Sequence, residues 1–231
     1  MNATHSNPRP APVSSVLAVT AAVAVLLALA GEGTGVGTWL AVELAGLGAV
    51  TLGAVAYRTG YRIVGLPVAL VGGVVCAVAI GGFGSQSGPL SELLRLLPGF
   101  LGLAVLAAAL VPVRGDGSRS LVKLGTGGLF ACVVLAGLFR TADVTLLLGT
   151  AVGTIVAWDA GEHAIGVGEQ LGRRATTWRL EATHAVGTAL VGVASVAVVH
   201  FARGFANDGL SLASFAMVFV AVVLLTVALR W

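Results

Sequence analysis

Charge is scarce in this chain. Only 10% of its 231 residues are Asp, Glu, Lys or Arg, against about 25% in soluble globular domains, which excludes an ordinary water-exposed fold. Lysine is scarcer still: Lys123 stands alone beside twelve arginines, so no later apolar run carries the lysine that a retinal Schiff base requires. The two cysteines, Cys76 and Cys132, fall inside separate apolar runs. They are too few for a disulfide framework or a thiolate metal centre and read as packing residues. No phosphate-cradling Gly-x-x-x-x-Gly-Lys loop occurs. Gly84-Ser85-Gln86-Ser87-Gly88 has its serines at the wrong positions for a Gly-x-Ser-x-Gly nucleophile turn and reads as a flexible outer loop. Proline is absent after Pro112, so the later helices are expected to run straighter than those holding Pro67 and Pro98.

What is abundant is apolar sequence. Hydrophobic residues make up 57% of the chain and the mean hydropathy is +0.99. A membrane span needs roughly 20 apolar residues, and eight runs qualify, at about 13–30, 37–57, 61–83, 90–112, 120–139, 142–159, 182–203 and 209–230. The expected fold is therefore all-α, a polytopic transmembrane helix bundle of about eight spans in a single domain, 13–231. Residues 1–12, with Pro8, Pro10 and Pro12, read as a short disordered cytoplasmic tail. Arg9 followed by an apolar run and Ala28-Leu29-Ala30 imitates a signal peptide, but the run is long enough to span and the basic region is a single residue.

The few basic residues segregate. Arg9, Arg58, Arg62, Arg114, Arg119, Lys123, Arg173, Arg174, Arg179 and Arg230 fall on one side of the ladder of spans; Arg95, Arg140 and Arg203 fall on the other, each near a span end where its stem can snorkel. Basic residues near span ends are retained in the cytoplasm, so both termini are expected there. An odd span count would destroy the segregation. The net charge of +3 is this topology signal itself and implies no nucleic acid.

Without a hydrophobic drive between helices in lipid, small residues must let backbones approach. Gly73, Ala77 and Gly81 recur every four residues in the third span, as do Gly149, Gly153, Ala157 and Gly161 in the sixth, and those faces are expected to meet other helices. No internal repeat is visible.

One segment breaks the apolar pattern. Between Trp158 and His184 lie Asp159, Glu162, Glu169, Arg173, Arg174, Arg179 and Glu181, seven of the 23 charged residues. On a helical wheel Asp159, Glu162, His163, Gln170, Arg173, Arg174 and Thr177 share one side, with Ala160, Ala164, Leu171, Ala175 and Trp178 opposite. The reading is an amphipathic cytoplasmic helix at about 158–182 that continues the sixth span and then turns along the interface. Charges of both signs in a short fixed array suit specific recognition. Asp159, Glu162, His163, Glu169, Gln170, Arg173 and Arg174 are therefore the candidate docking residues for a cytoplasmic partner. Asp159 and His163 are four apart on one face, but neither His-Glu-x-x-His nor Glu-x-x-His occurs, and His184 reaches them only if the chain doubles back. No metal site and no cofactor is expected.

Glu43 is the other candidate. It sits about two turns inside the second span, where a carboxylate needs a partner, water, a proton or a cation. Glu92 with Arg95, and Arg140 with Asp143, are spaced to pair as interface anchors; His200 reads as solvated.

The run Trp158-Asp159, Glu169-Gln170-Leu171-Gly172-Arg173 and Thr177-x-Arg179-x-Glu181-x-x-His184 resembles the signature of an uncharacterised family of polytopic membrane proteins from halophilic archaea. The resemblance implies residence in the cell membrane, an archaeal source and partnership with a MoxR-like ATPase system. The expectation drawn from these readings is a non-enzymatic membrane component or scaffold that docks a cytoplasmic partner through 158–184. A small transporter or channel using Glu43 is the alternative, and a membrane-embedded enzyme the third.

Overall fold

The computed structural model describes residues 9–30, 35–86, 90–111, 117–139, 141–171 and 178–205, and in these it is all-helical. Seven helices follow in order: α1 Pro12–Ala30, α2 Val36–Arg58, α3 Arg62–Gln86, α4 Leu90–Leu110, α5 Arg119–Leu138, α6 Val144–Leu171 and α7 Trp178–Phe205. Each contains a window long and apolar enough to cross a membrane, as expected of a membrane protein. The eighth run, 209–230, lies outside the described residues, as do Arg173, Arg174 and both chain termini. The chain divides into two units, residues 1–192 and 193–231; the second is represented here only by the last part of α7.

Glycine determines how the helices pair, and it does so in two places. A methyl added at Gly53 of α2 would lie 2.7 Å from the carbonyl oxygen of Gly65 in α3, and one at Gly72 would lie 2.6 Å from that of Gly46. A second seam joins α4 to α5: a methyl on Gly102 would come 2.5 Å from the Gly125 carbonyl, and one on Gly128 would come equally close to that of Pro98. Backbone therefore lies directly on backbone in both hairpins, the close approach that apolar helices need in lipid. The α3 face that packs is that of Gly65 and Gly72, not of Gly73 and Gly81, whose added methyls would meet nothing within 4 Å. In α6 the expected face does meet neighbours at Gly153, against Val25, and at Gly161, against Val122.

The core forms where α1 packs among α4, α5 and α6. Leu26, Phe100, Leu103, Leu106 and Leu129 are fully buried in it, and Phe83 stacks on Phe100 with ring centroids 4.7 Å apart. Cys76 and Cys132 are free and buried in different hairpins; their thiols donate to the carbonyls of Glu43 and Leu96.

The helix ends sort themselves. The start of α1 meets the end of α6, where the Ala11 amide donates to the Ala164 carbonyl at 2.8 Å. Gly168 supplies the notch in which the Arg9–Pro10 backbone crosses α6. The start of α5 reaches the same place through Arg119, and Arg58 at the end of α2 lies within electrostatic reach of Arg9. One end of the bundle thus gathers Arg9, Arg58 and Arg119, while Arg95 enters from the opposite end of α4.

Candidate functional site

The polar segment singled out in the sequence is divided between two helices. α6 continues unbroken from Val144 to Leu171, and its entry is fixed by Asp143, whose carboxylate accepts the Leu146 amide at 2.6 Å. That is an N-cap bond; its expected partner Arg140 lies outside the described residues. Ala160, Ala164, Ile165 and Val167 of α6 are buried, so the apolar side of the wheel is turned into the bundle along the second half of the helix. α7 starts at Trp178, where the Arg179 guanidinium lies 5.4 Å from the indole ring, and returns antiparallel along α6.

This return brings together side chains that are distant in sequence. Asp159 and His163 share a face of α6, and His184 and Thr188 share a face of α7, because residues four apart are neighbours on a helix. The two pairs mesh. The Asp159 carboxylate oxygen Oδ2 lies 2.8 Å from Nε2 of His184 and accepts the Thr188 hydroxyl at 2.6 Å. The imidazoles of His163 and His184 stack with centroids 3.8 Å apart and planes within 7°. Nε2 of His163 is buried without a hydrogen-bond partner. A turn nearer the start of α7, Glu181 is 1% exposed, and its carboxylate accepts the Ser14 amide at 2.7 Å. A carboxylate from the seventh helix thereby occupies the electropositive first turn of the first.

The remaining acidic residues of α6 are held by α5. Glu162 and Glu169 are seven apart, two turns on one face, and Arg119 bridges them: Nη1 lies 3.3 Å from Glu162 and Nη2 2.7 Å from Glu169. Arg119 and Glu169 are about half exposed, while Glu162 is mostly covered. Gln170 is exposed beside them. Of the seven candidate docking residues, four are thus engaged within the fold (Asp159, His163, Glu162 and Glu169), Gln170 is exposed, and Arg173 and Arg174 lie outside the described residues. Sequence reasoning did not assign Arg119, Thr188 or Ser14 to this site, although the facing i, i+4 pairs Asp159/His163 and His184/Thr188 were a readable signal. Among the described residues no three His, Cys, Asp or Glu side chains converge to hold a metal ion.

Glu43 occupies a different place. It is 0% exposed, and neither carboxylate oxygen has a hydrogen-bond partner. Arg95 is also buried, with its Nε unpartnered. No ion pair joins Glu92 to Arg95 among the described residues: α4 turns them so that each leaves one polar atom buried and unpaired. Among the described residues, grooves of about 320, 680 and 330 Å³ lie between α5 and α6, between α1 and α6, and between α2–α3 and α4. Glu43 lines none of the three.

No curated protein and no solved structure matches the chain. Residues 64–226 match a family of unknown function, DUF7519. The matched stretch holds the Asp159, His163, His184 and Thr188 cluster and the Arg119 bridge but not Glu43 or Ser14. Since it covers well over half of the sequence, the chain belongs to DUF7519.

Proposed function

We propose that this protein is a non-enzymatic component of the cell membrane that docks a cytoplasmic protein at its arginine-rich end, through the segment 158–184. The observation that carries the reading is Arg119 held between Glu162 and Glu169. It makes an exposed array of both signs that is ordered before any partner arrives, and pre-ordering reduces what binding must spend on freezing side chains. The segregated arginines favour a cytoplasmic position for this end, hence for both termini of an eight-span chain. A haloarchaeal source and a MoxR-like ATPase system as partner belong to the same proposal. Changing Arg173 and Arg174 together to alanine should abolish co-purification of the partner from native membranes, because truncating a central interface arginine costs about 2 kcal/mol or more. Insertion and thermal stability should hold. A cysteine at Ser118 should stay unlabelled by impermeant reagents added outside. Co-purification that survives the double change, or labelling of Ser118→Cys from outside, rejects the reading.

A second reading rests on Glu43. A carboxylate buried without a partner is costly unless it carries a proton or a cation, and this supports transport through the α2 region. In reconstituted vesicles Glu43→Gln should abolish any pH-dependent flux; unchanged flux removes Glu43 from such a mechanism.

A further inference from the structure

The stacking of the two histidines is used neither by the Arg119 array nor by the Glu43 reading. They are half-buried in a bundle whose core is mainly apolar, and they join α6 to α7. Two parallel imidazoles in van der Waals contact tolerate one positive charge, because a carboxylate stands beside them. They do not tolerate two, since like charges at that separation repel strongly where water is partly excluded.

The charged and titratable groups that face His163 are His184 on α7, Asp159 on its own helix and Glu181 on α7. From α1 comes the Ser14 amide, which is hydrogen-bonded to Glu181. From α5 comes Arg119, committed to Glu162 and Glu169. Asp159 is committed to His184 and Thr188. Accepting a hydrogen bond leaves a carboxylate its charge, so Asp159 and Glu181 both remain counter-charges to His163, but Nε2 of His163 touches no acceptor.

We infer that His163, His184 and Asp159 form a one-proton binding site that clamps the start of α7 to α6. A second proton, taken from solvent by the other imidazole, opens the clamp. The first proton leaves an imidazolium next to the Asp159 carboxylate, a pair that holds α7 in place. The second makes two cations in ring-to-ring contact, of which only His184 is hydrogen-bonded to a carboxylate among the described residues, and the rings relieve this by separating. Because histidine is the side chain that changes charge nearest neutral pH, the opening falls in mildly acidic conditions. It moves the first turns of α7, residues 178–188, and leaves the glycine-packed hairpins unchanged. The site acts without any partner.

Hydrogen–deuterium exchange of the full chain in lipid nanodiscs tests this, with rates corrected for the intrinsic pH dependence of exchange. Between pH 7.5 and pH 5, amides of 178–188 should exchange roughly tenfold faster, while those of α4 and α5 stay unchanged. His163→Gln keeps Asp159 and Glu181 but cannot supply a second ring charge, and in it the acceleration should shrink to less than about twofold. Equal protection at both pH values overturns the inference. So does an acceleration that persists in His163→Gln, since the carboxylates would then be responsible. If that variant does not fold, nitrogen-15 NMR of the histidine rings in the wild-type protein decides the matter. Rings 163 and 184 should become doubly charged only as α7 loses protection; two imidazolium signals with protection intact overturn the site.

Discussion

The α2–α3 hairpin and the α6–α7 hairpin are built on opposite terms. In the first, glycines bring two backbones into contact where Gly46 meets Gly72 and Gly53 meets Gly65, with the weak thiol contact of Cys76 beside them. In the second, α7 stays mostly exposed, and beside one close contact of Gly192 with Val152 the attachment is made by Asp159 to His184 and Thr188, with Glu181 reaching past α6 to α1. Small-residue packing has no setting other than closed, because dispersion contacts fall away steeply with distance. Polar attachment depends on charge, and charge can be changed by a proton. The first hairpin is suited to being a fixed frame and the second to being an adjustable one.

The sharpest way to break this comparison is to fill a seam. In Gly53→Leu the new side chain would start 2.7 Å from the Gly65 carbonyl and 2.8 Å from the Ala69 Cα, backbone that cannot step aside. The expected loss exceeds the roughly 1–3 kcal/mol of ordinary overpacking and should appear as failure to recover a monodisperse protein in detergent. Gly73→Leu on α3, where an added methyl meets nothing within 4 Å, should behave as wild type. If the two variants are equally well tolerated, the glycine seam does not hold the hairpin.

A smaller loss is expected where the attachment is polar. Glu181→Ala leaves the buried Ser14 amide without its acceptor and should lower stability by about 1.5–3 kcal/mol in thermal or denaturant unfolding. Glu181→Gln keeps an acceptor oxygen and should lose less than half as much. Equal losses for the two would assign the effect to volume rather than to the hydrogen bond.

The smallest effect should come from Arg119→Ala. The guanidinium stands at the water-exposed end between two carboxylates, where ion pairs are screened and contribute little. Its unfolding temperature should match wild type within error, and a clear drop would show that the bridge joins α5 to α6 structurally.

Seven of the eight expected runs were legible as helices because each is a continuous apolar run of about 20 residues or more, a signal that needs no knowledge of neighbours. The helical continuation of the sixth past Asp159 was legible as well. The partners of its polar side chains were not, because they stand 25, 29 and 43 positions away, at His184, Thr188 and Arg119. Local pattern holds no information about such pairings. The same limit separates Gly72 from Gly73: spacing of four identifies a small-residue face, but which of two adjacent glycines is used was decided by Gly46 and Val50 on another helix. Asp143 is the contrary case. An aspartate just before an apolar run is a helix-start signal, and its role as the cap of α6 was readable without the fold.

The bond between Glu181 and the Ser14 amide also orders events in time. The two residues are 167 positions apart, so at ribosomal speeds of about 5–20 residues per second the first helix emerges on the order of ten to thirty seconds before the residue that will cap it. During that interval the start of α1 has only water or lipid headgroups to satisfy its amides. The arginine-rich end therefore acquires its final form late in biosynthesis, after both glycine hairpins have been made, and a chain arrested before α7 would carry the frame without the site.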